Sequence, residues 1–79
     1  MSKHDKTHQA IFADPTRSNI KWNDIESLFH HLGAAVSEGE GSRVRVVLNG
    51  CKAVFHRPHP RPEASRPTVR SVRRFLTVA

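Results

Sequence analysis

The chain has 79 residues, enough for one small domain with one core. Thirteen Lys and Arg stand against seven Asp and Glu, giving a formal net charge of +6 with His neutral and a pI of about 10.8. A single cysteine, Cys51, rules out an internal disulfide framework. No apolar run approaches the roughly 18 residues of a membrane span, and the polar start MSKHDKTHQ lacks the hydrophobic centre of a signal peptide. The chain reads as cytoplasmic, with no membrane partner.

The charge is uneven. Nine of the thirteen basic residues, but only one of the seven acids, Glu63, lie after residue 42. That asymmetry points to a polyanionic partner, nucleic acid before others, against the plainer alternative of a merely basic surface.

Residues 1–18 read as an N-terminal extension. His8, Ile11 and Phe12 stand at helical spacing, and Asp14-Pro15 stops a helix. A short helix is expected near residues 4–13, followed by a linker, with the domain proper over 19–79. Residues 23–32 form a second helix. Asn23 can cap it, Glu26 completes a capping-box pattern, and Gly33 is placed to end it. Ile25, Leu28, Phe29 and Leu32 make its apolar stripe. Trp22, just before it, reads as a core or helix-entry anchor, and His30 and His31 as surface residues. A short edge strand, AAVSEG, is expected over 34–39.

The stretch RVRVVLNGCKAVFHR, Arg43 to Arg57, specifies a hairpin, because Asn49-Gly50 between two β-rich runs is the signature of a primed two-residue turn. Leu48 then pairs with Cys51, Val46 with Ala53, Val44 with Phe55, and Arg43 with His56. Alternation puts Val44, Val46, Leu48, Cys51, Ala53 and Phe55 on one face. Arg43, Arg45, Val47, Lys52, Val54 and His56 lie on the other, which is strongly basic. A register slip would bury the arginines. In this register Cys51 is a small core hydrophobe rather than a nucleophile.

Residues 58–67 hold four of the five prolines and read as a stiff connection. A last helix starts near Pro67. Val69, Val72, Leu76 and Phe75 supply its buried stripe, and Arg66, Arg70, Arg73 and Arg74 fall on another face. Those arginines have two readings, phosphate contacts or a solvated face that an acidic partner could cover. The whole is an α+β, two-layer domain in which helices cover one face of a three-stranded antiparallel sheet and leave the basic face open. Its expected core is Ile25, Leu28, Phe29, Leu32, Val44, Val46, Leu48, Ala53, Phe55, Val69, Val72 and Leu76.

Six histidines invite a metal reading. His56-Arg57-Pro58-His59 is not a helical pair, however, and no cysteine or carboxylate cluster accompanies it. No metal and no cofactor are expected.

The element order, with Gly33 after the first domain helix, Gly41-Ser42 before the hairpin, His59-Pro60 after the third strand and VRSVRRFL in the closing helix, resembles the HicA toxins of bacterial toxin–antitoxin systems. The resemblance covers roughly residues 22–79. It implies a double-stranded-RNA-binding-domain-like fold, messenger-RNA interferase activity and a HicB-like antitoxin partner. In that family Gly-Ser is followed by a catalytic histidine, whereas here Arg43-Val44 follows Gly41-Ser42. Either the imidazole comes from FHRPHP, as His56 or His59, or the chain binds RNA without cutting it.

His56, opposite Arg43, would occupy nearly the same patch of the sheet as a histidine at position 43. The expected activity is metal-independent endoribonuclease cleavage, in which a histidine assists attack of the 2′-hydroxyl on the adjacent phosphate. The candidate catalytic residues are His56, His59 and Arg43. Arg45, Lys52, Arg57, Arg70, Arg73 and Arg74 are the candidate RNA contacts. The alternative is a non-catalytic RNA-binding or regulatory domain of the same fold.

Overall fold

The computed structural model describes residues 2–58 and 61–79. In chain order the elements are α1 (Lys3–Ile11), α2 (Trp22–His31), β1 (Ala35–Glu38), β2 (Arg43–Leu48), β3 (Cys51–His56) and α3 (Arg66–Val78). The strands form one antiparallel sheet in the order β1-β2-β3. α2 packs beside β1 and α3 beside β3, while α1 rests on α2 and α3. The expected α+β arrangement of helix, three-stranded antiparallel sheet and helix is therefore present, with α1 added on the helical side. None of these helices is long and apolar enough to cross a membrane.

The hairpin adopts the expected register, from Leu48 opposite Cys51 to Arg43 opposite His56. Asn49 (φ 51°) and Gly50 (φ 79°) both take the left-handed conformation that a primed turn requires. Val44, Val46, Leu48 and Phe55 are buried, and Arg43, Arg45, Lys52, Val54 and His56 are exposed. An aromatic cluster holds the helices to the sheet. Phe55 lies 5.7–5.9 Å, ring centre to ring centre, from Phe29, Phe75 and Trp22. Trp22 is a core anchor, as expected.

Several local expectations are corrected. α2 begins one residue early, at Trp22, and its N-cap is Lys21, without a side-chain cap. The Asn23–Glu26 capping box does not form. The entry is set instead by long-range pairing: Trp22 N–H donates to the Pro62 carbonyl (2.9 Å) and Ala64 N–H to the Ile20 carbonyl (2.8 Å). Leu32 is 42% exposed, because the helix ends at His31. Gly33 (φ 88°) then turns the chain so that Ala34, whose N–H reaches the Phe29 carbonyl, takes the inward position. In α3 Phe75 is buried, and Leu76 packs half-buried against the core.

α1 begins at Lys3, one residue before the expected start, and ends at Ile11, two residues before the expected end. The Ser2 hydroxyl accepts from Asp5 N–H, and the Asp5 carboxylate accepts from Ser2 N–H, a complete capping box. The residues read as an extension are docked: Ile11 is fully buried and belongs to the common core. Phe12 is exposed and stacks on His8. α3 carries its own cap, the Ser65 hydroxyl accepting from Thr68 N–H, with a proline in the first turn.

Candidate nucleic-acid interface

The sheet has one face against the helices and one open. Period-2 alternation along β2 and β3 sorts the side chains, so Arg43, Arg45, Lys52 and His56 share the open face. β1 continues it through Ser37, opposite Arg45. Val47 and Val54 lie among these cations, with Val54 56% exposed.

Three hollows connect along this side. The first, of about 280 Å³, is lined by Gly39, Glu40, Arg43, Arg45 and Val54. The second, of about 170 Å³, runs from Val54 and His56 to Pro67, Thr68 and Ser71 at the start of α3. The third is a cleft of about 760 Å³, in which His56 meets Arg61, Arg66 and the first turn of α3. Val54 is shared by the first two and His56 by the last two. His56 therefore stands where the basic sheet face opens into the cleft. The cleft also has one acid, Glu63, and a wall from Ser18 of the α1–α2 strap.

Two of the sequence-selected cations are engaged by protein partners, and one of them, Arg57, also lines the cleft beside His56. Arg57 follows His56 in the alternation, and its backbone continues the ladder by donating to the Ser42 carbonyl at 2.9 Å. Its side chain therefore turns to the helix side. There Nε and Nη2 donate to the two oxygens of Glu26 (3.2 and 3.0 Å), and Nη1 donates to Glu38 (2.7 Å). Hydrogen bonds to Glu26 first and Glu38 second raise its pKa, holding the guanidinium protonated even more firmly than a free arginine. Arg73 reaches the N-terminal strap, donating to the carbonyls of Ile11 (3.0 Å) and Ala13 (2.8 Å) and to the Thr16 hydroxyl (3.4 Å).

Arg70 and Arg74 are exposed on α3 and line none of the three hollows. Lys52 is exposed on the sheet face. His59 lies outside the described residues. Among the described residues no group of three or more His, Cys, Asp or Glu could hold a metal ion.

Sequence reasoning passed over Arg61 as a site residue and saw Arg66 only as part of a charged helix face. Arg66 also donates to the Thr16 carbonyl at 3.2 Å. The available signal was weak: both lie within the proline-rich connection, where Pro62 and Ala64 are bonded to Trp22 and Ile20.

The chain is thus a small α+β domain with its helices on one face of an antiparallel sheet and a basic, open opposite face. The family described as HicA toxin of bacterial toxin-antitoxin matches residues 22–77, and the chain belongs to that family. It is thus a toxin-type component of a toxin–antitoxin system, with an antitoxin as its implied partner. No curated protein and no solved structure matches it significantly.

Proposed function

We propose that this toxin is an RNA-binding mRNA interferase that cuts without a metal, with His56 as its principal imidazole. One observation carries the reading: His56 pairs with Arg43 across the hairpin and stands at the junction of the basic sheet face and the cleft beside α3. RNA lies along the sheet face with its phosphates near Arg43, Arg45 and Lys52. Arg61 and Arg66 supply further positive charge in the cleft, while Arg57 and Arg73 support the fold through their protein partners.

In the reaction His56 takes the 2′-hydroxyl proton, and the 2′-oxygen forms a bond to the adjacent phosphorus. The bond from phosphorus to the 5′-oxygen breaks, and that oxygen receives a proton from water or a second imidazole, for which His59 is the nearest candidate in sequence. The products end in a 2′,3′-cyclic phosphate and a 5′-hydroxyl. Arg43 neutralises the phosphate as charge gathers on it. The partner is a HicB-like antitoxin that covers the basic face.

The second reading is a non-catalytic RNA-binding domain, favoured by Arg43-Val44 at the place where the family carries a histidine. The two readings separate in one assay. Purified chain with labelled RNA in EDTA yields cyclic-phosphate ends under the first, and His56→Ala loses roughly 100-fold or more in rate while RNA affinity changes little. Intact RNA bound by wild-type protein favours the second reading. Normal cutting by both His56→Ala and His59→Ala removes the histidine assignment.

A further inference from the structure

The first 42 residues carry four Lys and Arg against six Asp and Glu, so on sequence this part is mildly acidic. Folding reverses that locally. All four cations, Lys3 and Lys6 of α1, Arg17 of the strap and Lys21 at the entry to α2, line one groove of about 300 Å³. Of the six acids only Asp24 joins them, and it is paired with Lys3 at 3.1 Å. Lys6, Arg17 and Lys21 are exposed, and their side chains have no hydrogen-bond or ion-pair partner among the described residues. Three unpaired cations from three elements thus converge on one concave surface. All four positions precede residue 22, where the family match begins.

The groove is joined to the cleft by the strap itself. Arg17, Asn19 and Lys21 face the groove, and Ser18 between them lines the cleft that holds His56. Backbone bonds from Trp22 to Pro62 and from Ala64 to Ile20 fix the strap against the proline-rich connection. One thin wall therefore has the proposed cutting site on one side and a cationic groove on the other. A polymer with one charge per unit can pass over such a wall and meet cations on both sides.

We propose that this groove is a second phosphate-binding subsite, which holds RNA several nucleotides away from the bond beside His56. The inference rests on the RNA-cutting reading above, and it assigns the N-terminal residues a direct part in substrate length preference.

The test uses the full chain with Lys6, Arg17 and Lys21 all changed to Gln, binding either a long labelled single-stranded RNA or a tetranucleotide across a salt series. Each lost single-strand phosphate contact lowers the slope of log affinity against log salt by about 0.7, so the triple variant lowers it by about 2. The long RNA is held on the order of tenfold or more weaker at low salt, and the tetranucleotide is unchanged. Lys6→Arg with Lys21→Arg keeps wild-type affinity.

If the triple variant folds poorly, Lys6→Gln alone, at an exposed helix position, lowers the slope by about 0.7. Unchanged long-RNA binding in the triple variant, where Arg43→Gln/Arg45→Gln weakens it, overturns the groove and leaves the RNA reading standing. Weaker binding of the neighbouring gene's antitoxin with RNA binding intact overturns it in favour of a protein partner. A wild-type chain that binds no RNA overturns both readings.

Discussion

Arg57 and Glu26 face each other as a two-pronged pair, Nη2 to Oε1 at 3.0 Å and Nε to Oε2 at 3.2 Å, and the third prong of the same guanidinium holds Glu38. The pair ties the end of β3 to α2, and Glu38 ties both to β1. The residue directly before Arg57 is His56. The clamp therefore fixes the backbone from which the proposed catalytic imidazole projects. Its charge–charge part is discounted, because the Arg57 side chain is 34% exposed. Its geometric part remains, since a fork fits two carboxylates and a point charge does not.

Arg57→Lys is accordingly expected to lower the thermal midpoint nearly as far as Arg57→Ala. It should also reduce RNA cleavage without a matching loss of RNA affinity. Thermal unfolding and a paired binding and cleavage assay check this. The pH dependence has a definite sign. The folded pKa of Arg57 is raised, so its contribution is present below the unfolded value and is lost only as pH rises through the folded one. Nothing on the alkaline side of neutrality within the accessible range should release the clamp.

Phe55 is 5% exposed and touches three other rings. Phe55→Ala is expected to cost about 3–5 kcal/mol, read by denaturant unfolding. Val54→Ala, one residue earlier on the open face, should cost little, because its side chain already meets solvent. Similar costs at the two positions would show that the alternation is wrong.

Ile11 is fully buried at the end of α1, as part of the common core. Ile11→Ala is expected to cost about 2–5 kcal/mol, and removal of residues 1–12 should destabilise the chain by at least as much. Phe12→Ala, at an exposed position, serves as the control. An unchanged unfolding midpoint in the truncated chain would show α1 to be a dispensable appendage.

Arg43 and Arg45 line one hollow on the open face. Arg43→Gln/Arg45→Gln is expected to weaken RNA binding and to flatten its salt dependence, by about 0.7 in slope for each single-strand phosphate released. Co-expression with the neighbouring open reading frame should yield a complex in which this face no longer binds RNA. A complex that binds RNA as tightly as the free chain would place the antitoxin elsewhere.

Much of the fold was legible because its signals are local. Asn49-Gly50 dictates the turn, the turn dictates the register, and a period of two then decides which side of the sheet each hairpin residue occupies. Carried one residue further, the same period places Arg57 on the helix side, away from the open face. The 3.6-residue period likewise puts Arg73 four residues after Val69, on the margin of the buried stripe of α3, where it reaches the strap instead of solvent. Both partnerships were implicit in patterns already in use, although the identities of Glu26, Glu38 and Ile11 as partners were not.

The tertiary structure alone decided the rest. Ile20 pairs with Ala64, and Trp22 with Pro62, across more than half of the chain, and no periodicity within either segment encodes that meeting. It moves the start of α2, docks the strap and builds the cleft at His56. It also gathers Lys3, Lys6, Arg17 and Lys21, scattered through an acidic stretch, into one groove. Charge counted along a chain is a sum, whereas charge in a groove depends on which residues the core brings together. The sequence by itself therefore determined a basic hairpin face, and the packing of Ile11, Ile20 and Trp22 into a shared core decided what lies around it.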